Sequence, residues 1–145
     1  MNIDSIQNGI VLDHITAGKG MLVYKYLGLD KLDCSVAIIK NAVSHKMGRK
    51  DIIKIDHPDY YINLDVLGYV DPDISVSIIK DGVTVEKKKV GLPERIVNIV
   101  KCKNPRCITT TEQGIQQIFK LTDKEKRTYR CVYCEEENQG EEIGW

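Results

Sequence analysis

Two tight pairs of cysteines constrain this 145-residue chain more than any other feature: CKNPRC at 102 to 107, and CVYC at 131 to 134. The spacing Cys102-x4-Cys107, then 23 residues, then Cys131-x2-Cys134 is that of two knuckles closing one tetrahedral site from distant chain segments. Zinc is the expected ion, because four thiolates at ~2.3 Å complete its shell and leave no position for water or substrate. Such a site is structural. Iron in a rubredoxin-like site is the alternative metal, and four unrelated reduced thiols the alternative to any metal. The surrounding stretch has few large apolar residues beyond Ile96, Ile99, Ile115, Ile118, Phe119 and Leu121, and so small a module folds by adding a staple to its core. Four thiolates on a dication carry net negative charge, which Lys101, Lys103, Arg106 and Arg130 are placed to offset. Cys34 stands apart, followed by apolar residues, and reads as a packing residue.

Five cysteines are an odd number, which argues against a closed disulfide framework and for a reducing compartment. The opening MNIDSIQNG lacks the basic flank and apolar run of a signal peptide, and no stretch offers the ~20 apolar residues that cross a bilayer. A cytoplasmic protein without a membrane partner is expected. Lys plus Arg and Asp plus Glu both number 21, so no overall field draws the chain to a polyanion.

The grammar changes near Gly91-Leu92-Pro93, where proline removes a backbone donor and restricts its neighbour. Two domains are expected, 1–92 and 93–145, the second holding four of the five cysteines. The first reads as β-α-β-β-α-β-β: strands at 9–15, 35–39, 51–55, 74–79 and 83–85, and helices at 17–29 and about 59–69. Lys80-Asp81-Gly82 suits a hairpin, since Asp-Gly tolerates positive φ. The fold class is α+β: an N-terminal ferredoxin-like α/β sandwich with an antiparallel sheet, followed by a small C-terminal β zinc-ribbon (rubredoxin-like) domain.

Charged residues interrupt the strands. Asp13-His14 ends an otherwise apolar run, and Lys50, Ile52 and Lys54 share one face because strand side chains alternate. The lysines can be a solvated face with an edge run at Lys87-Lys88-Lys89 that discourages pairing. The second reading, ranked after that one, is that they hold an anionic ligand, with Asp13 on ribose hydroxyls and His14 and lysines on phosphates. Neither a P-loop nor GxGxxG occurs, so side chains would do the holding. His14, His45 and His57 are scattered, and no nucleophile with a partnered base can be identified.

GIVLDHI, MGRKDIIKI, LPERI, CKNPRC and YRCVYC, in this order, resemble the regulatory chain of aspartate carbamoyltransferase from about residue 3 to 135. The resemblance implies a non-catalytic chain of pyrimidine biosynthesis, with an allosteric domain that binds nucleoside triphosphates (ATP, CTP, UTP) and forms a homodimer. It also implies a domain with one structural Zn2+, held by Cys102, Cys107, Cys131 and Cys134, that grips the catalytic chains. By the same resemblance Asp13, Lys50 and Lys54 contact ribose and base, His14 and Lys87 the phosphates, and Ile6, Val11 and Ile79 line the base pocket, with Ile3 and Asp4 nearby. Ser77 and Gly82 stand where the family has asparagine and tyrosine contacts. Asn104 matches an interface asparagine, whereas Arg106 replaces another.

Two readings of other classes compete. A zinc-ribbon nucleic-acid binder would use Lys101, Lys103, Arg106, Lys120, Lys124, Lys126, Arg127 and Arg130 as a basic face; the acidic run Glu135 to Glu137 and the scarcity of stacking aromatics oppose it. A dithiol redox enzyme would need the CVYC thiols free of metal.

Overall fold

The computed structural model describes residues 6–57 and 62–139. The expectations on Ile3 and Asp4, the first part of the 59–69 helix and the chain end beyond 139 lie outside them. The chain forms two compact units, Met1–Gly91 and Leu92–Trp145.

The first unit contains β1 (Gly9–Thr16), α1 (Gly20–Tyr26), β2 (Val36–Ser44), β3 (Gly48–Ile55), α2 (Leu64–Val70), β4 (Ser75–Lys80) and β5 (Val83–Lys89). Its strands order as β2-β3-β1-β4-β5, with every neighbouring pair antiparallel. This is the ferredoxin-like β-α-β-β-α-β arrangement with one further strand, β5, added at an edge. Period-two alternation sends Ile10 and Leu12 of β1, Ile53 and Ile55 of β3 and Val76 of β4 to one face. There they pack with Val23 of α1 and Leu67 of α2 in a single cluster. Asn63 caps α2, its side chain accepting from the amides of Asp65 and Val66. The opposite face of the sheet carries Val11, Asp13, Lys50, Lys54, Ser75, Ser77 and Ile79, half-buried.

Helix α1 is shorter than the expected 17–29, for a local reason. Asp51 points into the core side at 1% exposure, where its Oδ2 accepts the amides of Gly18 (3.1 Å) and Gly20 (2.9 Å) and its Oδ1 that of Asn41 (2.8 Å). These bonds hold 17–19 as a turn, and a Cβ on Gly20 would lie 2.7 Å from Asp51 Oδ2. The glycine-rich TAGKG turn is therefore filled by the protein's own carboxylate.

Four strands, β1, β2, β3 and β5, run longer than expected, and β1 and β2 each accommodate an extra residue relative to β3. Between Leu12↔Ile53 and Ile15↔Asp51, β1 has one more residue than β3, and His14 takes φ 58 there. Between Ile39↔Ile52 and Ala42↔Lys50, β2 has one more residue than β3, with Asn41 at φ 59. Both are bulges that use the left-handed region.

The second unit has β6 (Arg95–Val97), α3 (Ile108–Thr111), β7 (Ile118–Asp123), β8 (Thr128–Cys131) and β9 (Glu137–Gln139), with sheet order β6-β7-β8-β9. Ile96, Ile99, Val100, Phe119 and Tyr129 are buried together with Cys107 and Cys131. The Tyr129 hydroxyl donates to the Pro93 carbonyl at 2.6 Å. Among the described residues no helix is long and apolar enough to cross a membrane.

Candidate functional site

The two cysteine knuckles meet at one point. The first is shaped by Asn104, whose Oδ1 accepts the Arg106 amide at 3.0 Å and whose carbonyl accepts the Cys107 amide and the Thr110 hydroxyl. The second turns through Glu135 at φ 65, whose amide donates to the Cys131 carbonyl at 2.8 Å. The four Sγ atoms all lie within 4.8 Å of one another, with Cys102 to Cys134 at 3.5 Å and Cys107 to Cys131 at 3.7 Å. Four sulfurs at ~2.3 Å from a tetrahedral centre are about 3.8 Å apart, so the donor set fits zinc in size and chemistry. Cys107 and Cys131 are buried, while Cys102 and Cys134 are half-buried.

The thiols already differ in acidity. Burial pushes Cys102 and Cys131 up. Burial also raises Cys107, but the Thr109 hydroxyl, 3.1 Å from Sγ, and the Thr109 amide outweigh it and bring this thiol down to about 7. Four neighbouring sulfurs cannot all ionise without a cation among them. Gln117 braces the knuckles: its Oε1 accepts the Cys102 amide at 3.0 Å and its Nε2 donates to the Thr109 carbonyl. Sequence reasoning missed Thr109 and Gln117, since neither carries a spacing signal. Arg130, expected to offset the sulfur charge, instead donates to the Glu135 carbonyl and pairs with Glu137 at 3.3 Å.

In the first unit, the register lines up residues across the open sheet face. Ala37 faces Lys54, Lys54 faces Val11, Val11 faces Ser77, and Ser77 faces Lys87. Lys54 and Lys87 are thus three strand spacings apart, about 14 Å. One step along, Lys50 Nζ lies 2.9 Å from Asp13 Oδ1. Burial raises the Asp13 pKa, but the Lys50 hydrogen bond, the His14 amide at 2.6 Å and the nearby charges leave it below the usual carboxylate value. His14 Nδ1 is 2.9 Å from Ser75 Oγ. At the other end Gly9 faces Ile79, and a Cβ on Gly9 would meet Ile6 Cγ2 at 2.9 Å and the Ile55 carbonyl oxygen at 2.1 Å. Only glycine lets Ile6 close over this end of the strand. Gly82 stays near the same segment, its amide donating to the Gln7 carbonyl at 2.9 Å.

A cavity of about 200 Å3 opens beside His14, lined also by Lys46, Met47, Asp73, Ser75 and Lys89. The sequence reading puts His14 and the lysine run that includes Lys89 on phosphates, whereas Lys46, Met47, Asp73 and Ser75 have no site role in it. Lys46 and Met47 lie in the β2–β3 turn and Lys89 ends β5, so only the strand order brings them together. The remaining expected ligand-face residues, Ile6, Val11, Asp13, Lys50, Lys54, Ile79 and Lys87, lie along the sheet rather than in this cavity.

Comparison with known proteins gives this geometry its setting. Residues 1–91 match the family profile described as aspartate carbamoyltransferase regulatory chain, allosteric domain, and residues 94–144 match the metal binding domain of the same chain. A relative from Clostridium botulinum (strain Hall), named aspartate carbamoyltransferase regulatory chain, is 50% identical over 143 residues, covering 99% of this chain and 97% of the relative. Relatives of the same name from Bifidobacterium longum and Clostridium acetobutylicum are 49% and 47% identical, covering 94% and 97% of this chain and 98% and 95% of their own. The nucleic-acid alternative is not favoured by these matches. With both units matched, in order and over nearly the whole length, the chain belongs to the aspartate carbamoyltransferase regulatory chain family, whose members are non-catalytic subunits carrying a metal-binding domain.

Proposed function

We propose that this chain binds nucleoside triphosphates on the open face of its first domain (1–92), and through its second (93–145) passes their effect to the catalytic chains of aspartate carbamoyltransferase. In this reading the partners are catalytic chains and a second copy of the chain, joined through the N-terminal domain, and the effectors are ATP, CTP and UTP. The setting is cytoplasmic pyrimidine biosynthesis. Asp13, Lys50 and Lys54 address ribose and base, His14 and Lys87 the phosphates, and Ile6, Val11 and Ile79 the base pocket. Cys102, Cys107, Cys131 and Cys134 hold one structural Zn2+, which supplies a closed tetrahedral centre and no chemistry on substrate.

The observation that supports this best is the cross-strand row in which Lys54, Val11, Ser77 and Lys87 are successive neighbours. It puts cations at both ends of an open strip, with an apolar residue between them, which suits a ligand that has a flat base and an anionic tail. Among the described residues Lys54 and Lys87 have no carboxylate partner, so their charges remain available. A ligand held there can alter a distant site only by binding two quaternary states unequally, with a typical coupling of ~1 to 3 kcal/mol.

The test is calorimetric titration of ATP and CTP into the full chain and into the Lys54→Ala, Lys87→Ala double variant. Affinity is expected to fall about a hundredfold, two charge-assisted contacts at roughly tenfold each. Unchanged affinity would remove this face from consideration.

A further inference from the structure

Two residues that no spacing rule picks out tie the cysteine knuckles to the sheet beneath them. Gln117 stands immediately before β7, and its backbone is pinned just past the end of β6: its amide donates to Asn98 Oδ1 at 2.9 Å and its carbonyl accepts the Asn98 amide at 2.7 Å. Its side chain serves the first knuckle, with Oε1 accepting the Cys102 amide at 3.0 Å and Nε2 donating to the Thr109 carbonyl at 3.4 Å. The next residue, Ile118, serves the second, its carbonyl accepting the Val132 amide at 3.0 Å. Both knuckles therefore hang from adjacent residues of one strand. Thr109, buried in α3, completes the chain of bonds, its hydroxyl donating to Cys107 Sγ at 3.1 Å. Backbone amides serve Cys102 and Cys131, whereas Cys107 has the Thr109 hydroxyl as well as an amide.

We propose that Gln117 and Thr109 are positioning residues of the four-cysteine centre, Gln117 governing how readily Cys102 lets go of a bound ion and Thr109 how strongly Cys107 donates to it. The inference rests on the metal reading given above and adds an unequal division of labour among the four sulfurs. Cys107 is buried and Cys102 half-buried, so a competing chelator reaches the first knuckle through Cys102. The Cys107 amide is held within the knuckle by the Asn104 carbonyl, but the Cys102 amide is held by Gln117. Cutting that one bond frees Cys102 to swing away while Cys107 stays. The Thr109 hydroxyl acts differently. A hydrogen bond to a thiolate stabilises its charge and draws electron density from the sulfur, which becomes a weaker donor and a poorer nucleophile. Groups behind metal ligands commonly change affinity by about ten- to a hundredfold.

The experiment loads the full chain with Co2+, whose thiolate charge-transfer absorption reports the sulfurs directly, and follows transfer of the ion to EDTA. In Gln117→Met, transfer is expected to be about ten- to a hundredfold faster with the band in place. Gln117→Glu keeps an acceptor for the Cys102 amide, so its release should fall back toward the unsubstituted rate even if Gln117→Met folds poorly. In Thr109→Val, the band is expected to move to longer wavelength and affinity to fall about tenfold. Thr109→Ser keeps the hydroxyl and should restore both. Release from Gln117→Met at the unsubstituted rate, an unmoved band in Thr109→Val, or a Thr109→Ser band like that of Thr109→Val would overturn the assignment and leave the four-thiol site standing. An unsubstituted chain that takes up no Co2+ would overturn the metal reading as well.

Discussion

The two units solve the same problem with different means. The first buries Leu12, Ile15, Ile53, Ile55, Leu67 and Ile74 to 1% exposure or less, with two helices laid over five strands. The second has four short strands and a small core, Ile96, Ile99, Val100, Phe119 and Tyr129, in which two of its four clustered cysteines are themselves core residues. Apolar area removed from water stabilises by ~25 cal/mol per Å2, which favours the larger unit. In the proposed reading the smaller one adds a metal cross-link at Cys102, Cys107, Cys131 and Cys134, whose sulfurs lie within 4.8 Å of one another. On that reading one unit is held by a surface, the other by a point.

That contrast can be broken most severely by taking away the point. Metal binding is worth ~10 kcal/mol or more to small zinc modules, so a strong chelator should unfold Leu92–Trp145. The amide and methyl resonances of the first unit's core should persist. Survival of the Phe119 and Tyr129 ring environments after complete metal removal would show that the small core suffices alone.

The converse substitution sharpens the comparison. Leu12→Ala empties a fully buried site in the first unit, and should cost about 2 to 5 kcal/mol of that unit's stability in urea denaturation. The chelator-accessible metal content should be unchanged. Coincident loss of both units would mean that they unfold as one.

The smallest effect concerns pH. The Asp13 carboxyl lies below its usual pKa in the folded chain, so its contribution to stability is present above the unfolded value of ~3.9 and is lost as pH falls through the folded one. Lys50→Ala should move the Asp13 carboxyl back up, as read by its side-chain carbon shift in an acid titration. An unmoved titration would mean that the 2.9 Å pair is not what sets its acidity.

How much could be read beforehand follows from the same contrast. The four-cysteine cluster was legible because its signal is a count of residues between thiols, which survives any uncertainty about register. The alternation of β3 gave Lys50 and Lys54 a common face for the same reason, and the ferredoxin-like order followed from the sequence of elements. What alternation could not reveal were the bulges at His14 and Asn41, since an extra residue in a strand leaves no compositional mark. The truncation of α1 was hidden as well, because it depends on Asp51, which comes from more than thirty positions away to accept the amides of Gly18 and Gly20. The union of Lys46 with Lys89 was likewise invisible, being a product of strand order.

The bulge in β1 has a consequence for how such a chain can change over time. Because one added residue separates Leu12 from Ile15, both can point inward while Asp13 and His14 are presented outward together. Losing either of the two would restore plain alternation, with Leu12 and Ile15 still inward but room for only one polar side chain outward, so the paired presentation of Asp13 and His14 exists only because the strand is one residue too long for its partner.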